Sequence, residues 1–224
     1  MYGQWYFEKK YKYGRKRKAI QRHYLSVLSW ADTESGWSLL EGEGRRALDV
    51  GCAYGFVVDL LSKLGYEALG IDISSYAVRK GSGKIEGGLM RSDAGHLPFR
   101  DESFDLVTCF AVFEHLFKPE KTLTEIYRVL KPSGVLVATT PNVNAAATVI
   151  IHVLAREPSS THPSAKPPRE WVKEILNAGF KRVKTKPFLL LPMPPTLLQR
   201  YFTMKTPLAL ASHIEILAMK TEGG

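Results

Sequence analysis

The sequence predicts an α/β protein, a doubly wound, mainly parallel sheet of seven strands with helices on both faces. Two short apolar runs, Ala47-Leu48-Asp49-Val50 and Glu67-Ala68-Leu69-Gly70-Ile71-Asp72, each carry a carboxylate at or near the end. Between them lie a glycine-bearing turn and an amphipathic segment. Strand and helix patterns then keep alternating as far as Thr139, which implies strand–helix–strand units and a parallel sheet. The 224 residues, 45% hydrophobic and 24% charged, are enough for one large domain with a substantial core.

Taken in order, the chain opens on a basic and aromatic segment. Residues 1–24 hold eight lysines and arginines against Glu8 alone, +7 of the total +9, interleaved with Tyr2, Trp5, Tyr6, Phe7, Tyr11, Tyr13 and Tyr24. Residues 15–30 suit a helix, and a polar connector follows over 32–45. We therefore divide the chain into an N-terminal helical segment, 1–45, and a main domain, 46–224. Residues 47–50 read as a buried strand. Val57, Leu60, Leu61 and Leu64 mark one face of a helix, and Gly65 suits its C-terminal cap. Residues 67–72 are a second strand, and Ser74 caps the helix that follows. Residues 89–92 and 104–110 are the third and fourth strands. Pro119 opens a helix bearing Leu123, Ile126, Tyr127 and Leu130, which Lys131-Pro132-Ser133-Gly134 stops. Residues 135–139 are a fifth strand. Residues 168–179 read as a helix with Trp171, Val172, Ile175 and Leu176 inward. Residues 180–187 and 213–220 read as the last two strands. The looser stretches 143–167 and 188–212 read as insertions on the substrate side.

Several classes are set aside. No apolar run reaches the ~18 residues of a membrane span, and the N-terminus lacks the apolar core of a signal peptide. The expected location is cytoplasmic. Cys52 and Cys109 have no metal-motif spacing and are expected as reduced thiols, and no metal cluster is evident.

The chemistry starts at the turn. Gly51 and Gly55 allow backbone angles and close approach that side chains would block. A helix N-terminus follows, where free N–H groups favour a negatively charged ligand group such as a carboxylate. Asp72 lies 21 positions after Gly51, at the end of the second strand, where an acid can accept both hydroxyls of a ribose. The ligand is therefore read as a nucleoside derivative, against the plainer reading of a tight strand-to-helix turn. The Gly-x-Gly-x-x-Gly of a dinucleotide site is absent, as is a phosphate-cradling Gly-Lys-Ser/Thr. Asp93, after the third strand, could bind the amino group of an adenine.

At these residues the chain resembles a known family. Asp49-Val-Gly-Cys-Ala-Tyr-Gly55 resembles motif I of the class I S-adenosylmethionine-dependent methyltransferases, and Gly70-Ile-Asp72-Ile-Ser resembles the acidic motif after it. Ser92-Asp93-Ala-Gly-His-Leu-Pro-Phe99, Ser103-Phe-Asp-Leu-Val107, Phe113-Glu-His-Leu116 and Leu130-Lys-Pro-Ser-Gly-Val-Leu136 resemble the later blocks in order, with Thr140-Pro-Asn142 following. The likeness covers residues 45–142 and implies a Rossmann-like sheet. It also implies S-adenosyl-L-methionine as cofactor and S-adenosyl-L-homocysteine as product. By resemblance, Gly51, Ala53 and Gly55 line the methionine portion, with Cys52 in the same turn. Asp49 holds the turn, Asp72 binds the ribose and Ile73 lies on the adenine. Asp93 and Ala94 meet the adenine edge, and Phe110 offers its carbonyl to the ammonium. Ala53 stands where the family often has glycine, a change expected to be tolerated.

The implied reaction is an in-line displacement at the methyl group, in which alignment supplies much of the rate and a base helps where the acceptor is a hydroxyl. The resemblance puts His115 near the transferred methyl, as a base or as a pocket-shaping histidine. Glu114 is read as structural or solvent-facing. His162 resembles an acceptor-side position, and Tyr6, Tyr11 and Tyr13 could close the pocket if the N-terminal segment is a lid. The sequence lacks the Asn/Asp-Pro-Pro-Tyr and Pro-Cys signatures of base methylation. The favoured partner is a small-molecule acceptor. The alternatives are RNA or protein, reached through the basic residues 9–22, and a cofactor-binding scaffold without chemistry.

Overall fold

The computed structural model describes residues 3–10, 13–143, 162–190, 203–205, 207–208 and 210–221. The strands are β1 (Arg46–Val50), β2 (Glu67–Asp72), β3 (Gly88–Arg91), β4 (Phe104–Phe110), β5 (Leu130–Pro141), β6 (Arg182–Leu190), β7 (Thr203–Lys205) and β8 (His213–Met219). The helices are α1 (Arg17–Ser35), α2 (Phe56–Lys63), α3 (Ser75–Gly81), α4 (Pro119–Val129) and α5 (Pro168–Asn177). One sheet runs β3-β2-β1-β4-β5-β8-β6-β7. The first five strands in this order pair parallel, and β8 pairs antiparallel with both β5 and β6. The sheet has eight strands where the sequence reading has seven. The addition is the three-residue β7, which lies against residues 188–190 at the far edge.

The two apolar faces of the sheet explain the layers. On one, Leu123, Ile126 and Val129 of α4 and Trp171 and Ile175 of α5 pack against Leu48, Val107, Leu136 and Ile216. On the other, Val27, Leu28 and Ala31 of α1 and Val57, Val58 and Leu61 of α2 pack against Ala47, Leu106, Val137 and Leu217. Each fully buried leucine or valine contributes roughly 1.5–3 kcal/mol, so the second half of α1 belongs to the core. Polar contacts pin α1 as well. Asp59 of α2 accepts from Arg17 Nη2 (2.6 Å), Gln21 Nε2 (2.7 Å) and Lys63 Nζ (2.8 Å).

Local signals set the element ends. Gly65 takes φ 95° just beyond α2, and the Ser74 hydroxyl accepts from Ala77 N at 3.2 Å to cap α3. Two readings need correction. Strand β5 begins at Leu130 and not at Val135, because Leu130 pairs with Phe104 across a register shift and Ser133 takes a left-handed turn at φ 63°. Leu176 is turned out, 46% exposed, because α5 is held by Trp171 and Ile175 alone among its fully buried large side chains.

Strand order reverses between β1 and β4, and in open α/β sheets a crevice forms beyond the carboxyl ends at such a point. Asp49, Asp72, Phe110 and the turn after each strand are thereby brought to one edge of the sheet.

Candidate active site

A cleft of about 1150 Å³ opens there. Gly51, Ala53, Asp72, Ile73, Asp93, Ala94 and Phe110 line it, and so do His115 and His162. Two of these are 19 residues apart in sequence and bonded directly: Ala53 N donates to Asp72 Oδ2 at 2.9 Å, while Ser74 N donates to Oδ1 at 2.7 Å. Three further donors of the turn are engaged within the protein. Gly51 N and Cys52 N both donate to Ile71 O (2.8 and 2.9 Å), and Gly55 N donates to Cys52 O (2.8 Å). The turn itself is thus tied to β2 through the amides of Gly51, Cys52 and Ala53. Gly51 has φ 77°, and a Cβ there would come within 2.3 Å of Val112 Cγ2. Ala53 adopts φ 49°, a left-handed position that costs an L-residue roughly 1–2 kcal/mol.

Asp49, Cys52 and Gly55 are not on the cleft surface. Asp49 is buried and accepts a hydrogen bond from Thr108 Oγ1 at 2.7 Å. Burial, more than the neighbouring Asp72, pushes its pKa up to about 7. Cys52 is buried with its thiol pKa well raised by desolvation, and Cys109 likewise; both are free thiols. Gly55 starts α2 at φ 76°, backed by Leu89 and Ile85. These three support the wall from behind. Ile73 presents an apolar side chain that is half exposed on the lip, and Asp93 Oδ1 accepts from Gly95 N at 2.9 Å.

The opposite wall gathers residues from distant parts of the chain. His115 ends the helical turn Phe113–His115 beyond β4, and its ring lies 4.7 Å from that of His162. Tyr24 of α1 stacks on Phe110 with ring centroids 4.1 Å apart and an interplanar angle of 4°. Ser212 and His213 at the start of β8 also line the cleft, with Ser212 Oγ 2.9 Å from His213 Nδ1. Sequence reasoning missed Tyr24, Ser212 and His213, which carry no motif. Of the two readings of Glu114, structural or solvent-facing, the structure excludes the second: the residue is buried and lines the cleft. Tyr11 lies outside the described residues, as do 144–161 and 191–202 of the two insertions.

The N-terminal segment covers the glycine-turn side. Phe7 is buried against Tyr13, Tyr54 and Tyr76, with centroids 5.8, 5.2 and 6.3 Å away. Glu8 Oε1 accepts from Tyr76 Oη at 2.8 Å and pairs with Lys80 at 3.0 Å. Part of the basic arm is thus engaged internally: Arg17 is bound to Asp59, and Lys16 is half-buried with its pKa lowered by desolvation. No helix among the described residues is long and apolar enough to cross a membrane.

Residues 48–138 match the family model for a methyltransferase domain. The chain is 31% identical over 171 residues to the ubiquinone biosynthesis O-methyltransferase of Azoarcus sp. strain BH72, covering 70% of each protein. It is 28% identical over 167 residues to the enzyme of the same name from Thiobacillus denitrificans, covering 69% of this chain and 70% of that one. Among solved structures, it resembles a SAM-dependent methyltransferase from Thermotoga maritima (TM-score 0.71, 18% identity, 97% of this chain and 100% of that one). A SAM-dependent methyltransferase from Archaeoglobus fulgidus is similar in the same way (TM-score 0.68, 22% identity, 96% and 98%).

Proposed function

Because the chain belongs to the class I S-adenosylmethionine-dependent methyltransferases, we propose that it methylates a hydroxyl oxygen of a small, largely apolar acceptor bound beside His115. The observation that carries this reading is that one cleft holds both the glycine-turn wall and the His115–His162 pair. The name that these relatives carry, O-methyltransferase, supports an oxygen acceptor. S-adenosylmethionine, when bound, supplies an electrophilic methyl group on a sulfonium.

The donor set suits this cofactor. Asp72 keeps a carboxylate on the cleft wall with two of its lone pairs satisfied by amides, leaving others for ribose hydroxyls. Ile73 offers an apolar shelf for the adenine, with Asp93 and Ala94 at its edge, while Gly51, Ala53 and the Phe110 carbonyl border the methionine end. Asp49, Cys52 and Gly55 hold the turn in shape. With the cofactor bound, His115 would accept the acceptor's hydroxyl proton and His162 would orient the acceptor, the methyl–sulfur bond breaking to leave S-adenosylhomocysteine. Tyr24 and Phe110 give a flat apolar wall. Residues 3–10 act as a lid latched through Phe7 and Glu8.

The test is incubation of purified protein with labelled S-adenosylmethionine and panels of hydroxylated and aminated aromatic acceptors, read by mass spectrometry. O-methyl products are expected, and their loss with His115→Ala. Exclusive N-methylation, or label transferred only to RNA or protein, contradicts the reading.

A further inference from the structure

Five of the eight large apolar side chains exposed among the described residues stand on segments that border the cleft. Phe117, 78% exposed, and Ile73 line it directly. Trp5, 67% exposed, stands between the lining residues Gly3 and Tyr6. Leu208 and Leu210 lie in the turn before the lining residue Ser212, where Asn142 Nδ2 donates to Leu208 O at 2.9 Å. The topology puts four of them at one edge of the sheet. Ile73 follows β2, Phe117 follows β4, and Leu208 and Leu210 precede β8, whose start pairs with the end of β5. Single exposed leucines are ordinary, but exposed apolar side chains from separate segments sharing one edge mark a contact surface.

The charge at the same mouth is positive. Arg91, Lys118 and Lys121 line the cleft and are exposed, with Asp93 as the exposed carboxylate among them. Arg91 Nε donates to Ile73 O at 3.2 Å, so cation and apolar side chain are neighbours there. Lys63, Lys80 and Lys131 are paired with acids, whereas Lys118 and Lys121 have no ion-pair partner among the described residues. Aromatic rings suit the headgroup level of a bilayer, and lysines and arginines beside them meet anionic headgroups. A protein partner fits this mixture less well, because lysine is depleted where proteins meet. Leu208 and Leu210 likewise offer RNA no ring to stack on. We propose that this edge of the sheet docks on a bilayer surface bearing anionic phospholipids, with Phe117 and its apolar neighbours in the headgroup layer and Arg91, Lys118 and Lys121 on the phosphates. The cleft then opens toward lipid. For the largely apolar acceptor read above, and resting on that reading, entry from the bilayer follows without passage through water.

The test is co-sedimentation of the full chain with vesicles at physiological ionic strength. Vesicles of equal parts phosphatidylcholine and phosphatidylglycerol are expected to bind it about tenfold or more better than phosphatidylcholine alone. The pair Lys118→Glu and Lys121→Glu should lower binding by about tenfold or more, and Phe117→Ser or Leu210→Ser by about threefold. The control is the same charge change at the opposite edge of the sheet, Lys181→Glu with Arg182→Glu where β6 begins. It should alter binding by less than about twofold, since salt screens exposed charges beyond ~8 Å. Thermal melts verify that each variant is folded. Absence of vesicle binding by the natural protein overturns the proposal. So does a control pair that loses as much as the pair at the mouth, and so does binding indifferent to both Phe117→Ser and Leu210→Ser. Self-association that Phe117→Ser abolishes, without vesicle binding, would assign the face to a second copy of the chain instead. Sedimentation is read without turnover, so its failure leaves the hydroxyl-methylation reading in place.

Discussion

The glycine-turn wall of the cleft comes from one continuous stretch, residues 51–94, in which turn, helix and strand follow one another and bond to each other through Ala53 N and Asp72. The histidine wall is assembled from Tyr24 in α1, Phe110 at the end of β4, His115 beyond it, His162 before α5 and Ser212 and His213 at β8. The first is held by the amides of Gly51, Cys52 and Ala53, which bond to Ile71 and Asp72 of the adjacent strand. The second depends on the whole sheet and on α1 being docked. On the proposed reading, local geometry holds the cofactor and long-range packing selects the acceptor, so the two functions should respond to different mutations.

The sharpest break between the walls is expected at His115. His115→Ala should lower kcat by about 10²–10⁴-fold, the range for loss of a general base, with S-adenosylhomocysteine affinity unchanged by calorimetry. Gly51→Ala is expected to do the opposite. It forces an alanine to φ 77° with its Cβ 2.3 Å from Val112 Cγ2, destabilising the fold by about 3 kcal/mol in urea denaturation and abolishing cofactor binding.

Glu114 gives a pH-dependent effect of intermediate size. Its folded pKa of about 8 lies above the ordinary 4.5. Between those values the folded chain holds a proton that the unfolded chain has released, so this group lowers stability as pH rises through that window and has no effect below it. Asp49, pushed from 3.8 to about 7, acts in the same direction. Glu114→Gln removes the first of these contributions. Its melting temperature relative to the natural protein should therefore be higher at pH 8.5 than at pH 5, in thermal scans across that range. The smallest effect is expected for Ala53→Gly. Relief of the left-handed φ of 49° is offset by glycine's larger entropy loss on folding, and stability should change by less than about 1 kcal/mol.

The same contrast explains what the sequence could reveal. The meeting of Asp49, Gly51, Ala53 and Asp72 at the carboxyl ends of β1 and β2 was legible because it follows from spacing along one strand–turn–helix–strand run. Ser74 as a cap and Gly65 as a helix stop were legible for the same local reason. Tyr24 was not, because nothing in the helical pattern of α1 says which ring of β4 it will meet. His213 reaches the cleft only through the antiparallel pairing of β8 with β5, where it stands opposite Pro141. Glu114 stayed between a structural and a solvent-facing reading because glutamate is ordinarily exposed, and only the turn after β4 shows it buried. The early start of β5 was hidden by Pro132 and Gly134, residues that usually end an element but here form an irregular stretch within it.

Calorimetric titration with S-adenosylhomocysteine of the natural protein, Asp72→Ala and His115→Ala tests the division of the cleft most directly. Saturable one-site binding is expected for the natural protein and for His115→Ala with equal affinity, and a loss of about two orders of magnitude for Asp72→Ala. Retained affinity in Asp72→Ala, or its loss in His115→Ala, would contradict the separation of a local cofactor wall from an assembled acceptor wall.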